Sequence, residues 1–385
     1  MAYRRVDREL PTDEARAVLE LTRDLVRSEL EPRVDDAEST GTFPRDVFTL
    51  LGEAGLLSLP YPEEYGGAGQ PATVYLQVLE ELARGWLAVA LGTSVHVLSC
   101  HGVAAYGTEE QRAELLPAML GGRTLGAFCL SEPQAGSDVG AMRTAATRTA
   151  DGYLVNGTKA WITHGPIADF YLLMARTAEG HGGISAFHVP GGTAGVTAAV
   201  PERKMGLRSS VTSQVHFADV ALPASALLGE EGTGFKVALS ALDSGRLGMA
   251  ACAVGVAQAA FDVAVDYAGD RRTFGVPIAD HQGVGFLLAD AAAAIQGARQ
   301  LYLFAARRKD AGLRFSTEAA MAKLVATDMA MRVTTDMVQV LGGAGYVQDY
   351  PVERFMREAK VLQIVEGANQ IQRMVIARAL TRSRV

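Results

Sequence analysis

Apolar positions in the first part of the chain recur at helical spacing. Val18, Leu21 and Leu25 fall on one helix face, and Thr12 stands where the side chain of a helix N-cap is expected. The pattern predicts a helical N-terminal domain over residues 1–122.

The second zone, residues 123–227, is richer in threonine, valine and aromatic residues and alternates at strand spacing. Asn156 and Gly157 stand together between two apolar runs, which predicts a β-hairpin turn at this point. Further strands are predicted over 171–175 and 184–189. This zone is expected to form a small, barrel-like β-domain.

The third zone, residues 228–385, is helical again. Its long segments are separated by breaks near 275–277, 311–312 and 342–343, which predicts an antiparallel four-helix bundle. An apolar stripe along one segment is formed by Met321, Leu324, Val325, Met329 and Val333. The whole chain is therefore predicted to be mainly α with a central β-domain.

Composition narrows the function classes. The chain has 385 residues and a net charge of -7, so it shows no electrostatic footprint for nucleic acid. Arg4 and Arg5 are not followed by an apolar segment, so no secretory signal is predicted. No uninterrupted apolar run is long enough to span a membrane, and residues 249–265 come nearest.

The cysteines Cys100, Cys129 and Cys252 are few, odd in number and far apart. This pattern argues against a disulfide framework and favours a reducing cytoplasm. Their spacing is not that of metal ligands, so no metal site is expected.

Two segments of the β-zone carry side chains that suit a polar, flat ligand. Ser131 and Ser137 follow an apolar strand in a turn rich in proline and glycine, where their hydroxyls either bind a ligand or satisfy their own backbone. Trp161 and Thr163 would cover and hydrogen-bond a flat ring, but the same pattern also fits a tryptophan in the core.

Two glycine-containing segments in the helical zone suit phosphate. Arg271 and Phe274 lie in one of them, ahead of Gln282. Gly342 and Gly343 form the other, and paired glycines let a backbone approach a phosphate closely. A helix C-cap explains the same pair.

Glu366 is a carboxylate in an apolar setting near the C-terminus, preceded by Leu362, Ile364 and Val365. Burial raises a carboxyl pKa, and a general base benefits from that. The alternative is a solvated glutamate at the start of a helix.

Taken together, and in this order, these motifs and the loop 62–67 (PEEYGG) resemble the acyl-CoA dehydrogenase family over essentially the whole chain. The family binds FAD without a Rossmann fingerprint. This chain agrees, because Val237 replaces the third glycine after Gly232 and Gly234.

The resemblance implies that FAD lies between the β-domain and the C-terminal bundle, partly held by a neighbouring subunit of a homotetramer that is a dimer of dimers. The residues implied in FAD binding are Phe128, Leu130, Ser131, Ser137, Trp161, Ile162, Thr163, Arg271, Phe274, Gln282, Gln339, Gly342, Gly343, Ala368 and Gln370.

By the same resemblance, Glu366 is the base that takes the α-proton of an acyl-CoA while a hydride leaves Cβ for flavin N5, giving a trans-2-enoyl-CoA. Burial is expected to lift its pKa from ~4.3 to about 6–7. The residues implied in substrate binding are Ser137, Asp243, Arg246 and Gly367. A subgroup typified by isovaleryl-CoA dehydrogenase carries its base at the position of Gly245, which cannot serve here.

The resemblance further implies an electron-transfer flavoprotein as electron acceptor. Val365 and Ala368 depart from the tyrosine and threonine common in the family, which alters the wall of the site without preventing the chemistry. An acyl-carrier-protein thioester as substrate, an oxidase or monooxygenase on the same fold, and a scaffold without cofactor are the alternatives. The sequence does not predict acyl chain length.

Overall fold

The structure is a computed structural model that describes residues 6–382. The helices of the first zone are Asp13–Leu25 (α1), Val34–Thr40 (α2), Arg45–Glu53 (α3), Ala72–Gly85 (α4), Leu87–Tyr106 (α5) and Glu109–Leu120 (α6). Helices α4 and α5 are almost wholly buried, so they form the part of this zone that reaches the centre of the molecule.

Helix α1 begins as predicted, but its buried face only partly matches the predicted one. The Thr12 side chain accepts a hydrogen bond from the Ala15 N–H at 3.1 Å, which confirms the N-cap. The predicted apolar face is only partly right: Val18 and Leu25 pack against the core, but Leu21 is 42 % exposed, while Leu19 and the polar Arg23 are buried. The Arg23 guanidinium pairs with the buried Glu81 carboxylate at 2.9 Å, and this ion pair stabilises Arg23 in a buried position.

The β-domain contains the strands Gly126–Cys129 (β1), Ala145–Arg148 (β2), Gly152–Thr163 (β3), Phe170–Arg176 (β4), Ile184–Pro190 (β5), Val196–Ala198 (β6), Thr212–Pro223 (β7) and Leu227–Leu228 (β8). They form one sheet in the order β6-β7-β3-β2-β4-β5-β8, with β1 parallel to β4. Strands β4 and β5 confirm the predictions for 171–175 and 184–189.

The hairpin predicted at Asn156 and Gly157 is wrong, since both lie inside β3. Gly157 sits at a register shift between β3 and β7. A Cβ at Gly157 would lie 2.6 Å from the Cα of Thr144, so glycine is required by close packing. Asn156 is held by Asp219 across the strand pair, at 2.9 and 3.0 Å.

The third zone contains the helices Gly234–Asp270 (α7), Gln282–Asp310 (α8), Ser316–Leu341 (α9), Gly343–Tyr346 (α10), Val352–Leu362 (α11) and Asn369–Arg382 (α12), with a short hairpin of Arg272–Thr273 (β9) and Val276–Pro277 (β10) after α7. The breaks fall where the sequence predicts them. The segment after α9 divides into shorter helices, and Glu366 lies in the turn between α11 and α12.

The apolar stripe predicted for α9 is only partly right. Met329 and Val333 are buried, but Val325 is 44 % exposed. The buried face instead carries small and polar side chains, among them Lys323 and Thr327. This face packs against α7 and the α11–α12 turn, where close approach favours alanine over large apolar residues.

One hydrophobic core joins α4 and α5 to α7, α8 and α9. Helices α5 and α7 are long and apolar enough by composition to cross a membrane, but 83 % and 89 % of their apolar windows are buried inside the fold. They are core helices that place the middle of α7 at the centre of the molecule. The predicted domain limits at 122 and 227 stay a prediction.

Candidate active site

The Glu366 carboxyl group is carried by a left-handed turn. Glu366 has φ +56° and Gly367 has φ +87°. The left-handed conformation costs an L-residue about 1–2 kcal/mol, so surrounding contacts must hold Glu366 there. Gln372 Nε2 donates to the Gly367 carbonyl at 2.7 Å, and Lys323 Nζ donates to the same oxygen at 3.0 Å.

The turn directs the Glu366 carboxylate against Gly245 in α7. A Cβ at position 245 would lie 2.6 Å from Glu366 Oε2 and 2.9 Å from its Cδ. The carboxylate therefore occupies the space that a side chain at position 245 would take. The fold brings together two positions that the sequence separates by more than a hundred residues.

Burial raises the pKa of Glu366 to about 7, against the weaker opposing effect of the Arg246 and Lys323 charges. Its Oε2 atom is buried and has no hydrogen-bond partner among the described residues. The pKa lies in the range expected from the sequence. A raised pKa near neutrality suits a general base that must accept a proton at physiological pH.

A cavity of about 300 Å³ opens beside Gly245, between α4, α5 and α7. Leu76, Leu98 and Leu247 give it apolar walls, and Lys309 lines its edge, where Nζ donates to Ser244 Oγ at 2.9 Å. An apolar cavity with a few polar groups is the usual form of a small-molecule site. The sequence did not rank these helix residues by depth, so the cavity was not predicted.

Asp243 and Arg246, the implied substrate-binding residues, flank Gly245 on α7. Arg246 Nη1 donates to Asp243 Oδ1 at 2.6 Å, and Ser316 of α9 donates to the other Asp243 oxygen. The Arg246 charge acts on the Glu366 carboxylate, and Asp243 is joined to that site through Arg246. Ser137, by contrast, is exposed on a loop of the β-domain.

The implied flavin-binding segments of the β-domain lie side by side. The Ala160 N–H donates to Ser131 O at 2.9 Å, and the buried Lys159 Nζ donates to Leu130 O at 3.0 Å. Trp161 has φ +62° and is 65 % exposed, which rules out a core tryptophan. An exposed indole beside Thr163 leaves a flat apolar surface for a ring to cover.

The remaining side chains of these segments vary in depth. Leu130 and Ile162 are buried, Phe128 and Thr163 are half-buried, and Ser131 is half-buried at the start of the turn. The segment therefore presents a mixed apolar and hydroxyl surface, as a heteroaromatic ring requires.

A separate groove of about 610 Å³ is lined by Arg271, Thr273, Gly342 and Gly343. Gly342 has φ +60° and ends α9, so it is also the helix cap that the alternative interpretation predicted. A Cβ at either glycine would meet no atom within 4 Å, so the groove is open. Its bare backbone and one guanidinium suit a phosphate group.

The other implied cofactor residues are neighbours in sequence of the groove residues or of Glu366, and none of them lines the groove. Gln282 begins α8, Gln339 lies in the last turn of α9, and both are exposed, while Phe274 is 98 % exposed. Ala368 and Gln370 follow Glu366 into α12. Within the described chain, the exposed Trp161 surface suits a flat ring, and the separate glycine-lined groove suits a phosphate group.

Lys323, Asn369 and Gln372 are part of the site but were not predicted from the sequence. All are buried. The apolar stripe predicted for this segment did not include Lys323. The presence of Lys323 in an alanine-rich helical segment was the one signal in the sequence that could have indicated a buried lysine.

Over residues 6–382, no group of three or more His, Cys, Asp or Glu side chains is arranged to hold a metal ion. The cysteines Cys100, Cys129 and Cys252 are free and buried.

The chain matches three family descriptions in order: "Acyl-CoA dehydrogenase, N-terminal domain" over 12–123, "Acyl-CoA dehydrogenase, middle domain" over 127–220 and "Acyl-CoA dehydrogenase, C-terminal domain" over 232–381. It is 44 % identical over 372 residues to an acyl-CoA dehydrogenase of Bacillus subtilis, covering 96 % of this chain and 98 % of that protein.

Comparison with solved structures also finds close similarity to an acyl-CoA dehydrogenase. The chain is similar to butyryl-CoA dehydrogenase from Megasphaera elsdenii, with 42 % identity, a TM-score of 0.95 and coverage of 98 % of this chain and 100 % of the other. It is equally similar to a chain in a structure described as electron transferring flavoprotein of Acidaminococcus fermentans, with 41 % identity, a TM-score of 0.95 and coverage of 98 % and 100 %.

Proposed function

Because the chain belongs to the acyl-CoA dehydrogenase family, we propose that Glu366 is the base that removes the α-proton from its acyl-CoA substrate. The protein is an FAD-dependent enzyme that dehydrogenates an acyl-CoA thioester. The contact between the Glu366 carboxylate and Gly245, at the wall of an apolar cavity, carries the assignment.

The α C–H of a thioester is a weak acid, so its removal requires hydrogen bonds to the thioester oxygen as enolate charge develops. The Glu366 N–H makes no hydrogen bond to another group in the described chain, so it is free to donate to that oxygen. The Glu366 carboxylate accepts the proton. Arg246 and Lys323 favour its ionised form before the proton arrives.

The cofactor is proposed to lie against the β-domain, with Ser131 and Thr163 hydrogen-bonded to the flavin and Trp161 covering it. FAD, when bound, supplies the acceptor for the hydride that leaves Cβ. The Arg271 groove is proposed to hold the pyrophosphate of a neighbouring subunit's FAD, which requires an oligomer, proposed to be a dimer of dimers. The match to a chain in an electron transferring flavoprotein structure supports such a protein as electron acceptor. We also propose a cytoplasmic location for the enzyme.

The decisive experiment is anaerobic addition of acyl-CoA thioesters of different length and branching to the yellow enzyme. Bleaching of the flavin absorbance by at least one thioester is expected. The proposal fails if none bleaches it. The same acyl groups on acyl carrier protein test the alternative substrate carrier, and rapid peroxide formation on exposure to air would identify an oxidase.

The rate of flavin reduction is expected to depend on pH through Glu366. A base must be ionised to act, so kcat/KM should fall about tenfold for each pH unit below about 7 and level off above it. Stopped-flow reduction at limiting acyl-CoA measures this profile. A flat profile between pH 5.5 and 8.5 contradicts it.

Arg271→Ala is expected to weaken FAD binding about 10- to 100-fold, since a charge-assisted hydrogen bond to phosphate contributes roughly 1.5–3 kcal/mol. Fluorescence titration of the apoprotein with FAD measures the change in Kd. Arg272→Ala is the matched control, because Arg272 is the next residue, is exposed and does not line the groove. Equal effects of the two substitutions would contradict the proposed site.

A further inference from the structure

Lys323 of α9 is buried beside the turn that carries Glu366. The Lys323 side chain is fully shielded from solvent, and its Nζ donates to Gly367 O at 3.0 Å and to Asn369 Oδ1 at 2.8 Å. A fully buried lysine costs free energy unless its hydrogen bonds and charge are used. Both acceptors lie within the three residues that follow Glu366.

The acceptor Asn369 is itself held in place. Its amide group donates to Thr327 Oγ1 at 2.9 Å and to Asp328 Oδ1 at 2.7 Å, and its backbone N–H donates to Gln363 O at 3.0 Å. Helix α9 thus fixes the start of α12 and the end of α11 at once. The turn between them has little freedom to move.

From this geometry we propose that Lys323 is a positioning residue for the proposed base: it clamps the left-handed Glu366–Gly367 turn from α9 and keeps the carboxylate against Gly245. The inference rests on the proposed role of Glu366 and extends it to a residue outside the cavity lining.

The charge of Lys323 acts on the same carboxylate. The charged groups that bear on Glu366 from the packed helices are Arg246 of α7 and Lys323 of α9, and both favour its ionised form. Burial lowers the pKa of Lys323 to about 8, while Glu366 and Asp328 act against that decrease and Arg246 adds to it. Lys323 therefore stays mostly protonated at pH 7.

Geometry and charge can be separated by substitution. Lys323→Met removes the clamp and the charge. Gln372→Leu removes the donor to Glu366 O and Gly367 O, at 3.3 and 2.7 Å, without changing charge. Lys323→Arg keeps the charge. Lys236→Met, which removes an exposed lysine of α7, is the control.

The test measures the pH profile of flavin reduction in each FAD-loaded variant, with the acyl-CoA that bleaches the wild-type enzyme fastest. For Lys323→Met, a rate about 10- to 100-fold lower and a midpoint about one pH unit higher are expected, with FAD still bound. Gln372→Leu should lower the rate and leave the midpoint unchanged. Lys323→Arg should restore the midpoint, and the control should match the wild type.

A wild-type rate in Lys323→Met would overturn the clamp, and a wild-type midpoint in it would overturn the effect of the Lys323 charge on Glu366; either result contradicts the inference. If that variant does not fold, the neutral donor variant Lys323→Gln serves instead, and a wild-type midpoint there has the same consequence. If Glu366 is not the base, a different result is expected: Glu366→Gln would still reduce the flavin, with the wild-type midpoint near pH 7.

Discussion

Glu366→Gln is expected to abolish reduction of the flavin by acyl-CoA, with a rate loss on the order of 10³-fold or more, while the protein stays folded and yellow. An amide of nearly the same shape fits against Gly245 but cannot accept the α-proton, and general base catalysis contributes up to about 10⁴-fold. Anaerobic stopped-flow measurement at 450 nm gives the rate, and the absorbance ratio of flavin to protein gives the FAD content.

Glu358→Gln is the matched control. Burial raises the pKa of Glu358 to about 8, so it is also a buried carboxyl group with a raised pKa, but it lies in α11, next to Arg354 and away from Gly245. Its rate should stay within about twofold of the wild type, since an already protonated carboxyl resembles an amide. Full activity of Glu366→Gln would refute the assignment of the base.

Glu80→Ala is expected to cost about 3–5 kcal/mol of the free energy of unfolding, because it removes the carboxylate that pairs with the buried Arg299 and one of the two carboxylates that pair with Arg8. Glu80 Oε1 lies 2.8 Å from Arg8 Nη1 in an ion pair and accepts a hydrogen bond from Arg299 Nη2 at 2.9 Å, and Tyr302 donates to the other oxygen. Burial by itself would raise the pKa of Glu80, but Arg8 and Arg299 hold it at about 2.

Urea denaturation at pH 7 measures this loss, and Arg27→Ala is the comparison. Arg27 pairs with Asp24 on the surface, with both side chains more than half exposed, so its loss should cost less than about 1 kcal/mol. The stabilisation from Glu80 should be complete above its unfolded pKa of ~4.3 and disappear as pH falls towards 2. A loss below about 1 kcal/mol for Glu80→Ala at pH 7 would contradict the prediction.

Local signals in the sequence succeeded where one residue settles the local structure by itself. Thr12 caps α1 because its hydroxyl reaches a free backbone N–H nearby. The same kind of reasoning failed at Asn156 and Gly157, where a turn-forming pair lies inside β3. There the approach of Thr144 decides the structure, and that residue belongs to another part of the sheet.

The helix faces show the same limit. Apolar periodicity chose Leu21 in α1 and Val325 in α9 as core residues, but both are substantially exposed. Arg23 and Lys323 are buried instead, because distant carboxylate and carbonyl oxygens receive their hydrogen bonds. A periodicity count ranks residues by their own polarity and contains no information on partners far away in the chain.

Glu366 shows which properties follow from the amino-acid sequence and which follow only from the tertiary structure. The sequence by itself determined the order of helical, β and helical zones, the family and the candidate base, because these depend on local patterns and on ordered motifs. Only the tertiary structure decided that the carboxylate faces Gly245, that it is buried enough for its pKa to reach about 7, and that Lys323 holds its turn. Those properties arise from contacts between α7, α9 and the α11–α12 turn, which are distant in sequence and become neighbours only when the core closes.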